Sequence, residues 1–591
     1  MDNFRYTVVM YIERVPNRNS PPAVLLRESY REGKKVKKRT LANLSKLPDE
    51  VVDNLRLSLK GASVVNPEEL PDLCTVLRSL PHGHVACVLG TINKLGIPQL
   101  IESKKSRSRD LVVAMIAARI INPAVLLATA RGIRKETANS SLGELLGLSH
   151  GDRNEYYEAL DWLLSKQIDI EHSLASRHLK NGSLILYDLT STYLEGTECS
   201  LAAYGYSRDK KKGKLQIVLG ILCNQEGCPI AVEVFEGNRL DRQTLGQQIS
   251  KVRQRFGISQ VVWVGDRGTI TNANIVDELK AKEGLDWITA LTKSQIRKLA
   301  EIDYIQLGLF DEQDVIEIES PDYPGERLIA CRNPLIAQKN ALVREELLLS
   351  TEKELDKIKA ATRREKRALK GADKIGVRVG KVLNKFKVGK FFEIEISSSH
   401  FSYRRKTDAI ASEKILEVVY IIRTSVDSEK MDAAQTVRAY KGLSKVEQAF
   451  RCLKTIDLKV RPIYHYLDHR VKGHIFLCFL AYYVEWHMRK ALATILFEEE
   501  DLEKFESSDL EALLKYQPSQ IAKQKAGNKR NQENLPVHSF STLLNDLATI
   551  AHNKIQINLP GETVAFSKIT QPTPLQQKAL DLLGVSLICT Q

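Results

Sequence analysis

The sequence predicts an α/β protein built around a mixed β-sheet. Apolar, β-rich runs alternate with helical periodicities between residues 181 and 295. Two of these runs end at an aspartate, Asp188 and Asp266. The chain of 591 residues is 43% hydrophobic and 27% charged, which is typical of globular proteins, and its length predicts several domains.

The charge balance indicates a polyanionic partner. The formal net charge is +14 and the pI is near 9.1, which favours nucleic acid or an anionic membrane surface. The longest apolar stretch, Ile475–Val484, is much shorter than the about 20 residues that span a bilayer. It is therefore expected to be a buried core helix, and no membrane partner is expected. The N-terminal segment is broken by charges and lacks the pattern of a secretory signal.

The cysteines predict no metal site. All nine are scattered, with no CxxC pair and no Cys/His cluster at zinc spacing. An odd number of thiols in so long a chain fits a reducing compartment, so a cytoplasmic protein is expected. Cys223 and Cys228 flank a predicted hairpin turn and are interpreted as packing residues.

The first 180 residues divide into two regions. Residues 1–60 alternate apolar and polar side chains, which predicts a small β N-terminal module. Its basic rim is compatible with a DNA-contacting arm and with a solvated sheet edge protected by lysines. Residues 61–180 carry apolar side chains at helical spacing, starting with Leu70–Leu80, and form a candidate DNA-binding domain.

The segment 181–295 predicts the first part of a sheet core. Three strands come first, the run SLILYDLTST with Asp188, then LQIVLGILC and CPIAVEVFEGN. They are followed by a helix over 241–256, a fourth strand ending at Asp266, a helix at Asn272–Glu283 and a strand at Asp286–Leu291. This is the element order of a ribonuclease H-like sheet. Its first and fourth strands are neighbours, so the two carboxylates are expected to converge.

The segment 296–430 interrupts this core. It combines β-like runs such as DVIEIES and FFEIEISS with a charged helical stretch, Leu342–Lys370. We therefore expect a largely β insertion that also carries a long charged helix. Residues 431–495 predict the second part of the core, and residues 496–591 a helical region that is a candidate for DNA binding or dimerisation.

One predicted helix in the second part, Tyr440–Lys454, has two adjacent stripes. At about 100° per residue its apolar side chains share one stripe. Glu447 lies in the other, among Tyr440, Arg451 and Lys454. Alone, this pattern is typical of an ordinary amphipathic helix with a solvated face.

The combination of Asp188, Asp266 and Glu447 suggests a metal centre. Phosphodiester cleavage by two divalent ions roughly 3.5–4 Å apart needs several carboxylates, and Mg²⁺ prefers oxygen ligands. Each aspartate follows an apolar run, LILY or VVWVG. An unpaired carboxylate there is costly unless it binds a metal or a partner.

These motifs resemble those of DDE-type insertion-sequence transposases with a Y-x2-R-x3-E-x6-K signature, a group within the ribonuclease H-like and integrase-like superfamily. Tyr440, Glu447 and Lys454 stand at the spacings of that signature. The strand motifs LYDLTSTYLEG and VVWVGDRG also match, so the resemblance covers roughly residues 180–490.

The resemblance implies a DNA transposase that moves an insertion sequence by cut and paste. Asp188, Asp266 and Glu447 would bind two Mg²⁺ or Mn²⁺ ions. Water would hydrolyse the transposon end, and the freed 3′-OH would attack target DNA. Tyr440 and Lys454 would position the DNA end. The implied partners are terminal inverted repeats and target DNA, bound by a homodimer associated with the nucleoid.

One position departs from the signature. Leu443 stands where the group has arginine, and it belongs to the apolar stripe. Arg451 is the expected replacement for that cation. A basic loop after the first strand is compatible with a phosphate contact and with a solvated turn; its basic residues are Arg208, Lys210, Lys211 and Lys212.

Several readings stay open. Asn238 and Asp241 lie in a turn and are interpreted as turn and helix-cap residues, or as residues that support the site or contact DNA. Trp263 and Trp287 are expected in the core rather than stacked on a flipped base. The alternative functions are a ribonuclease H-like nuclease without strand transfer and an inactive, DNA-binding derivative of a transposase.

Overall fold

The computed structural model describes residues 9–588 except 19, 33–34, 63, 65–67, 69, 149, 210, 212, 302–313, 333, 499–518 and 560–561. The chain forms two compact units. The smaller comprises Met1–Pro81 and Ile550–Gln571, and the larger comprises His82–Thr549 and Pro572–Gln591.

The described residues of the smaller unit form two three-stranded antiparallel sheets and two helices. In the first sheet the order is β1-β2-β3, and the strands are β1 Val9–Val15, β2 Ala23–Glu32 and β3 Lys35–Asn43. Helix α1, Asp49–Leu59, buries Val52 against Ile12 and Val24 of this sheet. The second sheet has the order β16-β15-β4, and the remaining elements are α2 Leu70–Leu73, β4 Cys74–Pro81, β15 Ala551–Leu559 and β16 Glu562–Ile569.

Two sequence predictions are wrong in this unit. The predicted helix Leu70–Leu80 is mostly strand β4, because β15 pairs with it from the other end of the chain. Strand preference depends on the neighbouring strand, and such a remote partner is invisible in a local window. For the same reason the predicted all-helical C-terminal region contains the hairpin β15–β16.

The larger unit begins with helices, as predicted. They are α3 Gly83–Lys94, α4 Ile97–Ile101, α5 Arg107–Ile121, α6 Leu126–Ile133, α7 Leu142–Leu145, α8 Arg153–Ser165 and α9 Gln167–His178. Helices α5 and α8 pack against the long apolar helix α18, Asp468–Leu492. The stretch Ile475–Val484 is buried within α18, which confirms the prediction of a core helix. No single described helix combines the length and hydropathy needed to cross a bilayer, although the bent pair α5 and α6 passes that test jointly.

A large mixed sheet forms the centre of this unit. Its eight strands have the order β10-β11-β14-β9-β8-β5-β6-β7. Strands β5, β8 and β9 are parallel, and the other pairs are antiparallel. The strands are β5 Ser183–Tyr193, β6 Gln216–Asn224, β7 Pro229–Glu236, β8 Val261–Val264, β9 Leu285–Ala290, β10 Val315–Ile318, β11 Arg327–Arg332 and β14 Val419–Thr424. The predicted neighbours, the first and fourth strands of the core, are confirmed as β5 and β8.

Helical segments connect the strands of this sheet. A 3-10 turn at Asp241–Gln243, helix α10 at Leu245–Ser250 and a π-helical turn at Lys251–Arg255 join β7 to β8. Helix α11, Asn272–Asn274, and a π-helical turn at Ile275–Leu279 precede β9.

The segment between β9 and the second part of the core is more helical than predicted. Strands β10, β11 and β14 belong to the central sheet, so the described insertion keeps only one hairpin of its own. Its elements are α12 Lys293–Glu301, α13 Pro334–Thr362, α14 Ala372–Phe386, β12 Phe392–Ile396, β13 Phe401–Arg405 and α15 Thr407–Val418. Leu348, Ile375 and Phe401 share a core that joins α13 and α14 to the hairpin. The long charged helix is confirmed as α13, shifted toward the N-terminus.

The predicted helix Tyr440–Lys454 is interrupted. Helix α16, Ala433–Lys441, ends before Gly442, helix α17 covers Leu443–Arg451, and a π-helical turn follows at Cys452–Ile456. Beyond α18 the larger unit contains α19 Gln520–Asn528, α20 Phe540–Leu547 and α21 Pro574–Leu583.

Candidate active site

The register of the parallel strands β5 and β8 brings Asp188 and Asp266 to the same level. Leu186 pairs with Val264, and each aspartate lies two residues further along its own strand direction. Asp188 accepts a hydrogen bond from the N–H of Leu189 at 2.8 Å. Asp266 accepts from Gly268 at 3.1 Å and from Thr269 at 2.8 Å, so the turn after β8 fixes its carboxylate.

Helix α17 brings Glu447 to these aspartates. The helix packs across β5 through its buried stripe, which includes Leu443, Val446 and Phe450. Glu447 lies on the neighbouring exposed stripe. Its negative charge, like that of Asp266, raises the pKa of Asp188, which places the three carboxylates within electrostatic range of one another.

Asp188 is the group most affected by this arrangement. Burial is the main cause that raises the pKa of Asp188 to about 7, and the charges of Asp266 and Glu447 contribute to that rise. The N–H of Leu189 and the guanidinium of Arg208 lower the pKa but do not compensate. A cation at this position would favour the charged carboxylate, so the cluster is electrostatically incomplete by itself.

The donor set fits divalent metal ions. In the described part of the chain, no lysine, arginine or histidine forms an ion pair with Asp188, Asp266 or Glu447. Their ligand atoms do not all lie within 4.8 Å of one another. A site for two ions roughly 3.5–4 Å apart needs a more widely spaced ligand set than a site for one ion. Carboxylate oxygens are also the donors that Mg²⁺ prefers.

Tyr440 faces this cluster from the end of α16. Burial, helped by the charges of Asp266, Asp188 and Glu447 and opposed by that of Arg267, raises the pKa of its hydroxyl to about 12. Tyr440 is therefore protonated at neutral pH and can donate a hydrogen bond beside the carboxylates.

Lys454 is bound within the protein. Its Nζ donates to Thr190 Oγ1 at 2.8 Å, to the carbonyl oxygen of Ser191 at 3.0 Å and to Asp209 at 2.7 Å. Arg461 also pairs with Asp209, at 3.0 Å. Since Lys454 has three acceptors in the fold, it connects the helix to β5 and to the basic loop instead of extending into solvent.

The basic loop is only partly available for a ligand. Arg208 forms an ion pair with Asp241, and its N–H donates to Ser191 Oγ at 3.0 Å. Lys211 is exposed. Lys210 and Lys212, the other two candidates for a phosphate contact in this loop, lie outside the described residues.

Arg451 differs from Lys454 in its surroundings. Its side chain is exposed on α17, one turn after Glu447, and none of the described acidic residues forms an ion pair with it. Leu443, at the departing signature position, is buried as expected. Trp263 and Trp287 are both buried, which confirms the prediction that they belong to the core.

Two further aspartates, Asp241 and Asp209, have structural roles near the site that the sequence pattern did not establish. A Cβ at Gly268 would lie 3.6 Å from Asp241 Oδ2 and 3.4 Å from both carboxylate oxygens of Asp266, so Asp241 is a fourth carboxylate beside the cluster. Asp209 was missed because the run SRDKKKGK reads as uniformly basic. Asp209 is the one acidic residue in that run, and this was the only local indication that it forms ion pairs there.

Two family models match this chain, and the residues of the carboxylate cluster lie within the range of one of them. The family described as "Transposase DDE domain" matches residues 180–484. The family described as "IS1634 family transposase, N-terminal domain" matches residues 12–69. No curated protein matches the chain.

One solved structure with similarity to the chain is the cryo-EM structure of a piggyBac transposase synaptic complex with hairpin DNA. The sequence identity is 10%, the match covers 77% of this chain and 85% of that chain, and the TM-score is 0.24.

Proposed function

This chain belongs to the insertion-sequence transposases with a DDE domain, and on that premise we propose that it performs cut-and-paste transposition in the ribonuclease H-like manner. Water hydrolyses a phosphodiester at each transposon end and releases a 3′-OH. That hydroxyl then attacks a phosphodiester of the target, and the target's own 3′-oxygen leaves. The observation that carries this proposal is the unpaired cluster of Asp188, Asp266 and Glu447.

The three carboxylates would hold two Mg²⁺ or Mn²⁺ ions. When bound, such ions supply activation of the attacking oxygen and charge stabilisation at the leaving oxygen. The turn after β8 fixes Asp266 through two N–H donors, and α17 holds Glu447 through its buried stripe. Because these ligands sit on a sheet and a packed helix, they are organised before DNA arrives.

The surrounding side chains would orient the DNA end. Tyr440, protonated and beside the carboxylates, is suited to donate a hydrogen bond to a phosphate oxygen. Arg451 is exposed and suited to a phosphate contact, as is Lys211. Lys454 and Arg208 act indirectly in this proposal, because each already pairs with an aspartate that fixes the loop beside β5.

The partners in this proposal are the terminal inverted repeats of the element and target DNA. Two ends must be joined to one target, so a homodimer on DNA is the simplest assembly. The net charge of +14 favours binding to such a polyanion.

The test uses a linear DNA that carries the element's own terminal repeats. The full-length protein with Mg²⁺ should cleave at the repeat boundary and join the freed ends to a second DNA. Asp188→Asn, Asp266→Asn and Glu447→Gln should each abolish both products. The matched control Glu393→Gln changes an exposed carboxylate on β12 and should retain them.

Each other outcome has a definite meaning. Cleavage without joining would identify a nuclease, and binding without either product would identify an inactive DNA-binding derivative. Products that persist in Glu447→Gln would show that the metal ligands are assigned incorrectly.

A further inference from the structure

A second group of metal-binding side chains lies outside the carboxylate cluster. His178 is the last residue of α9, Cys228 immediately precedes β7, and His487 lies on α18. The Sγ atom of Cys228 lies 3.9 Å from Nε2 of His178 and 4.0 Å from Nε2 of His487. One ligand atom from each residue fits within a 4.8 Å group.

We propose that His178, Cys228 and His487 bind one Zn²⁺ ion that holds the β6–β7 turn in place. Zinc takes thiolate and imidazole ligands at about 2.3 Å and 2.0–2.1 Å, which corresponds to sulfur–nitrogen separations of roughly 3.6 Å in a tetrahedral site. The observed separations exceed this value by a few tenths of an ångström. Small side-chain rotations can close that gap.

The protonation of the two histidines suits metal binding. Burial lowers the pKa of His178, and it lowers the pKa of His487 to about 4. Both imidazoles therefore favour the neutral form, which is the form that binds metal. Nε2 of His178 also forms a hydrogen bond with the hydroxyl of Tyr483 at 2.9 Å, and a bound metal would replace that contact. Burial raises the pKa of the Cys228 thiol, so zinc binding must release its proton to the solvent.

The remaining coordination position falls to water or to Glu226. Glu226 precedes Cys228 by two residues in the same turn, and its charge raises the pKa of His178, of His487 and of Cys228. It also forms an exposed ion pair with Lys490 at 2.6 Å. Since that pair is weak at the surface, the carboxylate can exchange partners.

A comparison within the fold distinguishes this group from a chance cluster. Cys452, Asp457 and Glu485 form another group of similar size. There, the guanidinium of Arg489 lies 2.7 Å from Asp457 and 2.7 Å from Glu485, so a cation already occupies the group. In the described residues, no lysine or arginine forms an ion pair or hydrogen bond with the side chains of His178, Cys228 or His487. The hydrogen-bond partner of His178 Nε2 is the neutral hydroxyl of Tyr483, at 2.9 Å.

The three residues lie close to the contact between the β6–β7 turn and helix α17. Lys445, in the first turn of α17, donates from Nζ to the carbonyl oxygen of Gln225 at 2.9 Å. A Cβ at Gly227 would lie only 2.7 Å from Cβ of Lys445, so turn and helix are in close contact. A metal that fixes Cys228 therefore fixes the turn against the helix that carries Glu447.

The test is a cobalt titration of the untagged, full-length protein after chelation of its metals. Co²⁺ should produce a thiolate-to-metal charge-transfer band that saturates at about one equivalent. Zn²⁺ should abolish this band and raise the Tm. Carboxylate sites give no thiolate band, so Asp188→Asn should leave the band unchanged and separates this site from the proposed active site.

Matched variants assign the ligands. Cys228→Ala and His487→Gln should lose the band and the zinc-dependent rise in Tm. Cys452→Ala removes another buried thiol and should keep both. Absence of a thiolate band in the wild-type protein, which requires no variant to fold, would overturn the proposal, as would a band that persists in Cys228→Ala.

Discussion

Two acidic clusters in the larger unit differ in how their charge is balanced. Around Glu485 and Asp457, the guanidinium of Arg489 supplies ion pairs at 2.7 Å to each carboxylate. Around Asp188, Asp266 and Glu447, no described basic side chain forms an ion pair. The first cluster shares one internal cation among Asp457, Glu485 and Glu498, although burial still raises the pKa of Glu485 to about 8. The second cluster has no such internal cation among the described residues, and this difference makes it the better candidate for a metal site.

The largest expected effect concerns catalysis. Asp188→Asn should lower the rate of end cleavage by about 10³-fold or more, since a lost metal ligand removes several kcal/mol of transition-state stabilisation. Glu485→Gln changes the balanced cluster and should leave the rate within a few-fold. Single-turnover cleavage of terminal-repeat DNA measures both. Similar losses in the two variants would remove the distinction between the clusters.

The next effect concerns stability. Arg489→Met leaves Glu485 and Asp457 without their buried partner, and breaking such a pair costs about 3–5 kcal/mol. Urea unfolding should therefore show a large decrease in stability. Arg404→Met, which breaks an ion pair of exposed side chains on β13, is the control and should change little. An unchanged unfolding midpoint in Arg489→Met would contradict the structural role of that cluster.

A smaller effect concerns pH. The pKa of Asp188 rises from 3.8 to about 7 on folding, so the folded state holds its proton more tightly than the unfolded state. Stability of the metal-free protein should fall as pH rises from about 4 through about 7. The shift corresponds to about 4 kcal/mol at most, and because Asp188 is only half-buried we expect about 2 kcal/mol after solvent screening.

The measurement for this effect is urea unfolding of wild type and Asp188→Asn at pH 4.5 and pH 8, without divalent ions. Asp188→Asn should be the more stable protein at pH 8 and should approach wild type at the lower pH. Mg²⁺ should stabilise the wild type selectively. Burial also raises the pKa of Glu485 to about 8, so Glu485 contributes to the pH dependence of both proteins. The difference in unfolding free energy between wild type and Asp188→Asn removes that contribution and leaves the effect of Asp188.

The smallest effect compares the two cations on the helical segment after Glu447. Arg451→Ala should weaken DNA binding uniformly and reduce the salt slope of the affinity by about one, without changing stability. Lys454→Met removes the donor to Thr190, Ser191 and Asp209 and should cost about 1–3 kcal/mol of stability. Fluorescence anisotropy measures the DNA affinity of the two variants, and urea unfolding measures their stability. If both variants lost affinity and stability to the same extent, the proposed difference between Arg451 and Lys454 would be wrong.

Much of the central sheet could be predicted from local sequence. The apolar runs before Asp188 and Asp266 are long enough to identify β5 and β8, and element order placed them side by side. The two-stripe pattern around Glu447 likewise predicted which face of α17 is buried. These features depend on residues that are close together in the sequence, so a local pattern is enough to predict them.

Features that depend on distant partners could not be predicted in this way. Leu70–Leu80 has helical spacing, but β15 pairs with most of it as a strand. The three acceptors of Lys454 come from residues more than 200 positions earlier in the chain. Cys228 meets His178 and His487 only in the folded protein, so no zinc spacing is visible in the sequence.

The most direct test of the difference between the two acidic clusters is a crystal structure of the full-length protein soaked with Mn²⁺, with anomalous scattering recorded. We predict two anomalous peaks roughly 3.5–4 Å apart, each in contact with carboxylate oxygens of Asp188, Asp266 or Glu447. No peak is predicted at Asp457 and Glu485. A peak at that second cluster, or none at the first, would contradict the assignment of Asp188, Asp266 and Glu447 as the metal ligands of this transposase.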